Sequence, residues 1–230
     1  EDPDVMRAGA DNLEAFLLGV DLDAKLLDRS YALDPLTVDD VAHVELEHDR
    51  DPLDALGAGV VRLSEWPIED HALWQIEVDQ LPAEPSAASY ERSFPGMDDP
   101  TCFVDRSCEV LTTFNEIRRQ NLLMSVDMEL HKTMRWVDVG EEGQAIVSIS
   151  WTAEVFVGDS GKSTIFQSYS LDTWLDRGDE TWRLLVVWSE SDVGVSDPDL
   201  ILGTIKSSAD SGMARGDKAI EAAFHAENGD

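Results

Sequence analysis

The sequence predicts an α+β protein in which an N-terminal helix packs on a curved antiparallel β-sheet and a C-terminal helix follows the last strand. Between residues 126 and 188, four stretches alternate apolar and polar side chains, and short turn-rich segments join them. Connections this short leave no room for the crossover helices that parallel strands require. Near both ends of the chain, apolar residues instead recur every three or four positions, which is typical of amphipathic helices.

The four strands are expected over 126–136, 147–157, 165–175 and 182–188. Gly-containing breaks at 140–143, 158–161 and 176–179 separate them and predict hairpin turns. Because one residue in two is polar, one face of the resulting meander should be exposed to solvent.

The remaining elements are predicted from shorter patterns. Leu13, Leu17 and Leu27 share one helical face, so a helix is expected over 11–31. Residues 109–119 carry a similar spacing and are also expected to be helical, whereas the alternation over 74–78 favours a strand. A second amphipathic helix is expected after Pro198.

We expect one α+β domain over 1–230, with a long Pro-rich loop over 81–107 and a helical tail over 198–230. The loop assignment depends on Pro82, Pro85, Pro95 and Pro100. Irregular segments this long are uncommon in compact domains and are often functional.

The composition excludes several classes of protein. The 230 residues include 48 Asp and Glu but only 17 Lys and Arg, for a formal net charge of −31. So acidic a surface repels phosphate, which argues against nucleic acid and anionic membranes as partners. There is no run of about 18 apolar residues, so no transmembrane segment is predicted.

The acidity has a particular composition, with 29 Asp against 19 Glu and 12 Arg against 5 Lys. This bias is typical of halophilic or halotolerant proteins, in which salt screens the repulsion between like charges. A GC-rich genome combined with an exposed extracytoplasmic surface is the alternative explanation.

Cys102 and Cys108 are six residues apart, in the loop, and predict a local disulfide. Two inert thiols are the alternative, since the neighbouring carboxylates disfavour a reactive thiolate. A disulfide would place the protein outside the cytosol, as a periplasmic, secreted or lipid-anchored protein. The start at Glu1 is expected of a mature chain without its leader, or of a truncated one.

No catalytic or metal-binding motif is recognisable, so no catalytic residues, metal ligands or cofactors are predicted. The five His lack zinc spacing, and the Asp-rich pieces lack a complete calcium loop. The fragment Gly158-Asp-Ser-Gly-Lys162-Ser163 lacks the spacing of a phosphate loop. A polar face on one strand, with Asp127, Glu129, His131 and Arg135, could alternatively hold an acid–base site.

Aromatic side chains are concentrated on the predicted meander. Most can simply be core residues, but aromatic walls are also typical of cavities for apolar ligands. The candidate ligand-binding residues are Trp136, Trp151, Tyr169, Trp188 and His131.

Two stretches resemble the NTF2-like family (SnoaL-like, cystatin-like α+β cones). Residues 13–31 look like its opening helix, and residues 169–190 look like its closing hairpin. The long middle of the chain and the C-terminal helix depart from that pattern. A helix after the last strand instead resembles START-like helix-grip domains, in which it closes a lipid cavity; the strand-first opening of that family is not visible in the sequence. Neither resemblance implies particular catalytic residues.

Three functions are consistent with these features. The first is an extracytoplasmic, non-catalytic binding protein that holds an apolar small molecule or lipid in a cavity between sheet and helix, with the C-terminal helix as the expected cover. The second is a protein-interaction or structural domain, such as a lipoprotein domain, without a small-molecule ligand. The third, which the lack of motifs disfavours, is an NTF2-like enzyme with a polar site in its cone. The sequence leaves the oligomeric state open.

Overall fold

The computed structural model describes residues 3–84, 86–120, 125–140, 143–194 and 197–226. Its α-helices are α1 (Pro3–Leu17), α2 (Val38–Val41), α3 (Ile68–Ile76), α4 (Thr101–Val104) and α5 (Pro198–Ile220). One-turn 3-10 helices occupy Leu26–Asp28, Pro52–Asp54 and Leu81–Ala83, and a π-helical turn, Glu221–His225, extends α5. None of these helices is both long enough and apolar enough to cross a membrane.

The strands form one antiparallel sheet. They are β1 (Ser30–Leu33), β2 (Leu56–Ser64), β3 (Ala87–Ser93), β4 (Val110–Gln120), β5 (Ser125–Val139), β6 (Gly143–Trp151), β7 (Phe156–Val157), β8 (Thr164–Asp176) and β9 (Thr181–Asp192). Their order across the sheet is β1-β2-β9-β8-β6-β5-β4-β3, and the short β7 pairs with β8. The predicted α+β fold with an antiparallel meander between two terminal helices is confirmed.

The two long helices cover opposite faces of this sheet. On β2, Val61 packs with Ala10 and Leu17 of α1, whereas its neighbour Val60 packs with Ala209 and Met213 of α5. Successive residues of a strand point to opposite faces, so we call these two surfaces the α1 face and the α5 face.

Helix α5 begins where the sequence predicts. The Asp197 side chain accepts the N–H of Asp199 at 3.0 Å and so caps the first turn, and Pro198 occupies the first helical position. Met213 and Ile220 are fully buried. Next to α5 on the same face, α3 and α4 bury Ile68 and Phe103 against Trp174 of β8.

The helix expected over 109–119 is wrong, because this segment is strand β4. Its inward side chains are Leu111, Thr113, Asn115 and Ile117, all nearly or fully buried. The two polar members are tolerated because the Asn115 amide donates to Thr113 Oγ1 at 3.1 Å and to the Leu130 carbonyl at 2.9 Å. The buried polar residues therefore interrupt the alternation of apolar and polar residues by which a strand is recognised in a sequence.

The strand expected over 74–78 is also wrong, for a related reason. Residues 68–76 form α3, in which Ile68, His71, Ala72, Trp74 and Gln75 are buried. His71 shares a hydrogen bond with Ser64 (2.9 Å), and Gln75 accepts one from Lys132 (3.1 Å). Two of the five buried positions are polar, so the apolar pattern alone suggests the wrong period.

Two further boundaries differ from the prediction. The first helix covers Pro3–Leu17 rather than 11–31, and Leu27 is 86% exposed. The segment 81–107 is more regular than the loop we expect there, because it contains β3 and α4. Strand β3 pairs along β4, where Arg92 donates to the Asn115 side chain at 2.8 Å.

The chain opens with helix α1, but two strands that the sequence does not reveal follow it before α3. Strands β1 and β2 precede α3, and β2 pairs with β9, the last strand. With α5 packed on β2, this is the arrangement of a helix-grip fold. The START-like alternative therefore describes the topology, and the NTF2-like prediction, which has no place for these features, is wrong.

The predicted bridge is confirmed, since Cys102 and Cys108 form a disulfide across α4. We expect the double variant Cys102→Ala/Cys108→Ala to lower the free energy of unfolding by about 2 kcal/mol, the loop-closure entropy expected for a ring this small. Urea denaturation measures the change. Reduced wild-type protein is the matched control, because the chain has no other cysteine. An unchanged midpoint in both samples would show that the bridge does not contribute to stability.

Candidate functional site

A cavity of about 480 Å³ lies between α1 and the α1 face of the sheet. Its helical wall consists of Val5, Met6, Gly9, Ala10 and Leu13. These positions recur every three or four residues, so one face of α1 supplies them all. Val5 is 68% exposed and marks where the cavity meets solvent.

The sheet wall consists of two adjacent rows of paired residues. Thr133, Ile149 and Leu171 face one another across β5, β6 and β8. Arg135, Val147, Thr173 and Leu184 form the next row and continue it onto β9. Because most of these side chains are aliphatic, the cavity suits an apolar ligand, and its volume is within the usual range of about 300–1,000 Å³ for ligand sites.

Few polar groups reach this cavity. They are Thr133 and Arg135 on β5, Thr173 on β8, and His43 just after α2. Arg135 is half-buried, and its Nε is buried without a hydrogen-bond partner among the described residues. The cavity therefore combines an apolar wall with one permanently charged side chain.

Four of the five predicted ligand-binding residues lie together in a single row of the sheet. His131, Trp151, Tyr169 and Trp188 face one another across β5, β6, β8 and β9, and Phe114 of β4 extends the row. The row runs beside the row of Thr133, on the same face. None of the four lines the cavity itself, so their role in binding stays a prediction.

The segment between β1 and β2 covers this aromatic row. The indole N–H of Trp151 donates to the Glu45 carbonyl at 3.2 Å, and that of Trp188 donates to the Asp34 carbonyl at 3.0 Å. The row and its cover thus close one end of the α1 face, and His43 of the same segment lines the cavity.

Trp136 is separate from the other four, because it lies on the α5 face. Its indole donates to the Phe103 carbonyl at 2.8 Å, and the Arg106 guanidinium lies 4.3 Å from its ring centre. These contacts belong to the core around α4.

The alternative of an acid–base site at His131 gains no support from its surroundings. The imidazole is stacked on Trp151 with ring centres 5.4 Å apart, and it meets the Phe114 ring edge-on at 5.1 Å. Asp127 of the same strand pairs with Arg118 at 2.6 Å. No ion pair between His131 and a carboxylate is present in the part of the chain that the structure describes.

A network of charged and polar side chains, which the sequence does not indicate, is buried on the α5 face. Arg183 of β9 pairs with Asp172 of β8 at 3.3 Å and with Asp217 of α5 at 3.8 Å. Asp217 also accepts a hydrogen bond from Ser64 at 2.9 Å, and Ser64 contacts His71. This polar network joins β2, β8 and β9 to α3 and α5.

Burial shifts the pKa values of three groups in the network. Desolvation lowers the pKa of Lys132 to about 8 despite the nearby Asp172, and the Lys132 ammonium donates to Gln75. Desolvation also raises the pKa of Asp172, against the opposing effect of Arg183. It lowers the pKa of His71 well below its ordinary value, so this imidazole is neutral at pH 7.

Perturbed pKa values are typical of catalytic sites but also of structural ion networks. Here Asp172 pairs with Arg183 and attracts Lys132, while Lys132 and Arg183 also contact Gln75 of α3 and Asp217 of α5. Among the described residues, no cluster of three or more His, Cys, Asp or Glu could hold a metal ion. Compared with this network, the cavity on the α1 face is therefore the better candidate for a binding site.

The cavity described above lies on the other side of the sheet from the one that the sequence predicts. We predict from the sequence a ligand between the sheet and the C-terminal helix, but α5 packs directly on β2 and the apolar cavity lies beneath α1. No local signal distinguishes the two faces, because both carry apolar residues.

Comparison with known proteins finds similar solved structures but no matching family. No family model matches the chain, and no curated protein sequence is significantly similar to it. Among solved structures, a STAR-related lipid transfer protein from Xanthomonas axonopodis is 9% identical over 73% of this chain and 87% of its own, with a TM-score of 0.49. A protein from Thermus thermophilus is 12% identical over 72% and 97%, with a TM-score of 0.47. Human STARD10 is 9% identical over 91% and 78%, with a TM-score of 0.45.

Several of the similar structures carry START or StAR-related names. At this level of similarity they carry no argument about a ligand.

Proposed function

We propose that this protein is a non-catalytic binding protein that holds an apolar small molecule or a single lipid chain between α1 and the sheet. The observation that carries the proposal is the 480 Å³ cavity with a mainly aliphatic wall. An apolar cavity of about 150 Å³ holds benzene, so by proportion this one has room for on the order of 20 non-hydrogen atoms.

We further propose that the protein works outside the cytosol. The Cys102–Cys108 disulfide supports this location, because such bonds persist in oxidising compartments. The strongly acidic composition is compatible with a saline surrounding.

The first experiment is mass spectrometry of the purified protein without reductant, in the native state and after denaturation with organic extraction. A released apolar molecule would support the proposal and identify its chemical class. A native mass equal to that of the oxidised polypeptide, together with failure to bind the probe below, would contradict it and favour the interaction-domain alternative.

We expect Gly9→Phe to weaken binding of the neutral fluorescent probe N-phenylnaphthylamine about tenfold, because the ring enters the space the probe needs. Gly9 lines the cavity, and an added Cβ there meets no atom within 4 Å. Fluorescence titration measures the affinity.

The matched control is Gly203→Phe, on exposed surface of α5, where an added Cβ also meets no atom within 4 Å. Both variants replace a helical glycine, so they share the gain in helix propensity. Equal affinities in the two variants would show that the probe binds elsewhere.

A further inference from the structure

The polar part of the cavity indicates which class of ligand it takes. Arg135 belongs to the row that forms the sheet wall, where its partners across the neighbouring strands are Val110 and Val147. Its neighbours along the same face of β5 are Thr133 and Val137, since side chains of one face are two residues apart. The sheet therefore surrounds this guanidinium with uncharged side chains.

No counter-ion for Arg135 is present within the part of the molecule that the structure describes. None of its carboxylates lies within 4.0 Å of the guanidinium, although eight other Arg residues have such a partner. Arg7 and Arg92 also lack a carboxylate within this distance, but their guanidinium groups donate to Gly140 and Gln75, whereas no hydrogen-bond partner of Arg135 is present among the described residues. Burying its Nε without a partner is also unfavourable.

We propose that the cavity binds a single-chain amphiphile with an anionic head group, whose oxygens pair with Arg135 while its hydrocarbon chain lies along the aliphatic wall. This inference rests on the proposed function. Guanidinium groups bind carboxylates and phosphates through two parallel hydrogen bonds. Thr133, one step along the same face, places a hydroxyl-bearing side chain beside the head group. A neutral ligand without an acceptor oxygen would leave the buried Nε of Arg135 without a partner.

The test compares three probes of the same chain length by isothermal titration calorimetry: dodecanoate, dodecyl phosphate and dodecanol. We expect the wild-type protein to bind at least one anionic probe about tenfold more tightly than dodecanol, the discrimination expected of a hydrogen bond to a charged group. A preference for dodecanoate would identify a fatty acid, and a preference for dodecyl phosphate would identify a lipid phosphate head group.

The variant Arg135→Gln should remove this preference by weakening the anionic probe about tenfold while leaving dodecanol nearly unchanged. Arg135→Lys should retain part of it, because an ammonium keeps the charge but not the paired geometry. Arg106→Gln, which removes one positive charge on the α5 face, is the control for the overall loss of charge.

The outcomes separate the two proposals. If all three probes bind equally and Arg135→Gln changes no affinity, the proposal of an anionic head group is wrong, and the proposed binding of an apolar ligand stands. If no probe binds the wild-type protein, both proposals fail together.

Discussion

We expect Arg183→Met to lower the free energy of unfolding by about 3–5 kcal/mol at pH 7, the usual cost of removing one partner from a buried ion pair. Arg183 is 7% exposed and pairs with both Asp172 and Asp217. Without the guanidinium, the Asp172 carboxylate stays buried with Lys132 as its nearest remaining cation. Urea denaturation followed by circular dichroism measures the change.

The pH dependence of this loss tests whether unpaired charge contributes to it. Removing Arg183 raises the pKa of Asp172 further. Protonation of this carboxylate should therefore restore part of the variant's stability as the pH falls. The stability difference between wild type and variant should therefore be largest near pH 7 and shrink towards pH 5. A difference that does not depend on pH would point to lost packing instead.

Two further variants serve as controls for Arg183→Met. Arg106→Met removes an exposed pair with Glu69, so it should cost no more than about 1 kcal/mol. The double variant Arg183→Met/Asp172→Leu removes both charges and should recover much of the loss, because apolar replacements of buried ion pairs are often neutral. If the double variant is as unstable as Arg183→Met alone, the unpaired carboxylate is not the reason.

The second large effect is a rise in stability with pH that depends on Lys132. Its pKa is about 8 in the folded protein against an ordinary value of 10.5. Between these values the unfolded chain binds more protons than the folded one, so the free energy of unfolding increases as the pH rises from 8 to 10.5. The full shift corresponds to a gain of about 3 kcal/mol.

Urea midpoints measured from pH 7 to pH 10.5 test this expectation, with Lys132→Met as the comparison. Both cysteines are in the disulfide, so no free thiol interferes at high pH. We expect the wild type to gain stability relative to Lys132→Met across this range. Parallel curves for the two proteins would show that the Lys132 ammonium is not desolvated.

Local patterns predict the central meander well. Residues 126–136, 165–175 and 182–188 lie in β5, β8 and β9, because their sequences alternate apolar and polar residues. The strand predicted over 147–157 is too long, since β6 ends at Trp151 and only Phe156–Val157 form the separate short strand β7. The start of α5 is equally local, since Asp197 and Pro198 act within one turn.

The same patterns fail where polar side chains are buried. His71 and Gln75 on α3, like Thr113 and Asn115 on β4, are buried because hydrogen bonds satisfy their polar groups, whether to a nearby residue, as from His71 to Ser64, or to a distant one, as from Gln75 to Lys132. A rule that treats buried positions as apolar cannot recognise such residues, so it misses the helix at 68–76 and the strand at 110–120.

The candidate site, too, is only partly predictable from the sequence. The aromatic row is partly predictable, since His131, Trp151, Tyr169 and Trp188 each stand out on a strand, but only the register shows that they face one another. The position of Arg135 in an apolar cavity depends on α1 crossing its face of the sheet.

The sequence by itself determined the α+β class, the antiparallel meander, the C-terminal helix and the short disulfide loop of this protein, because each depends on residues close together in the chain. Only the tertiary structure decided which face of the sheet each helix covers, where the cavity lies and which buried charges are paired. Those features depend on contacts between distant segments such as α1 and β5, and the pattern of either segment alone does not specify its partner.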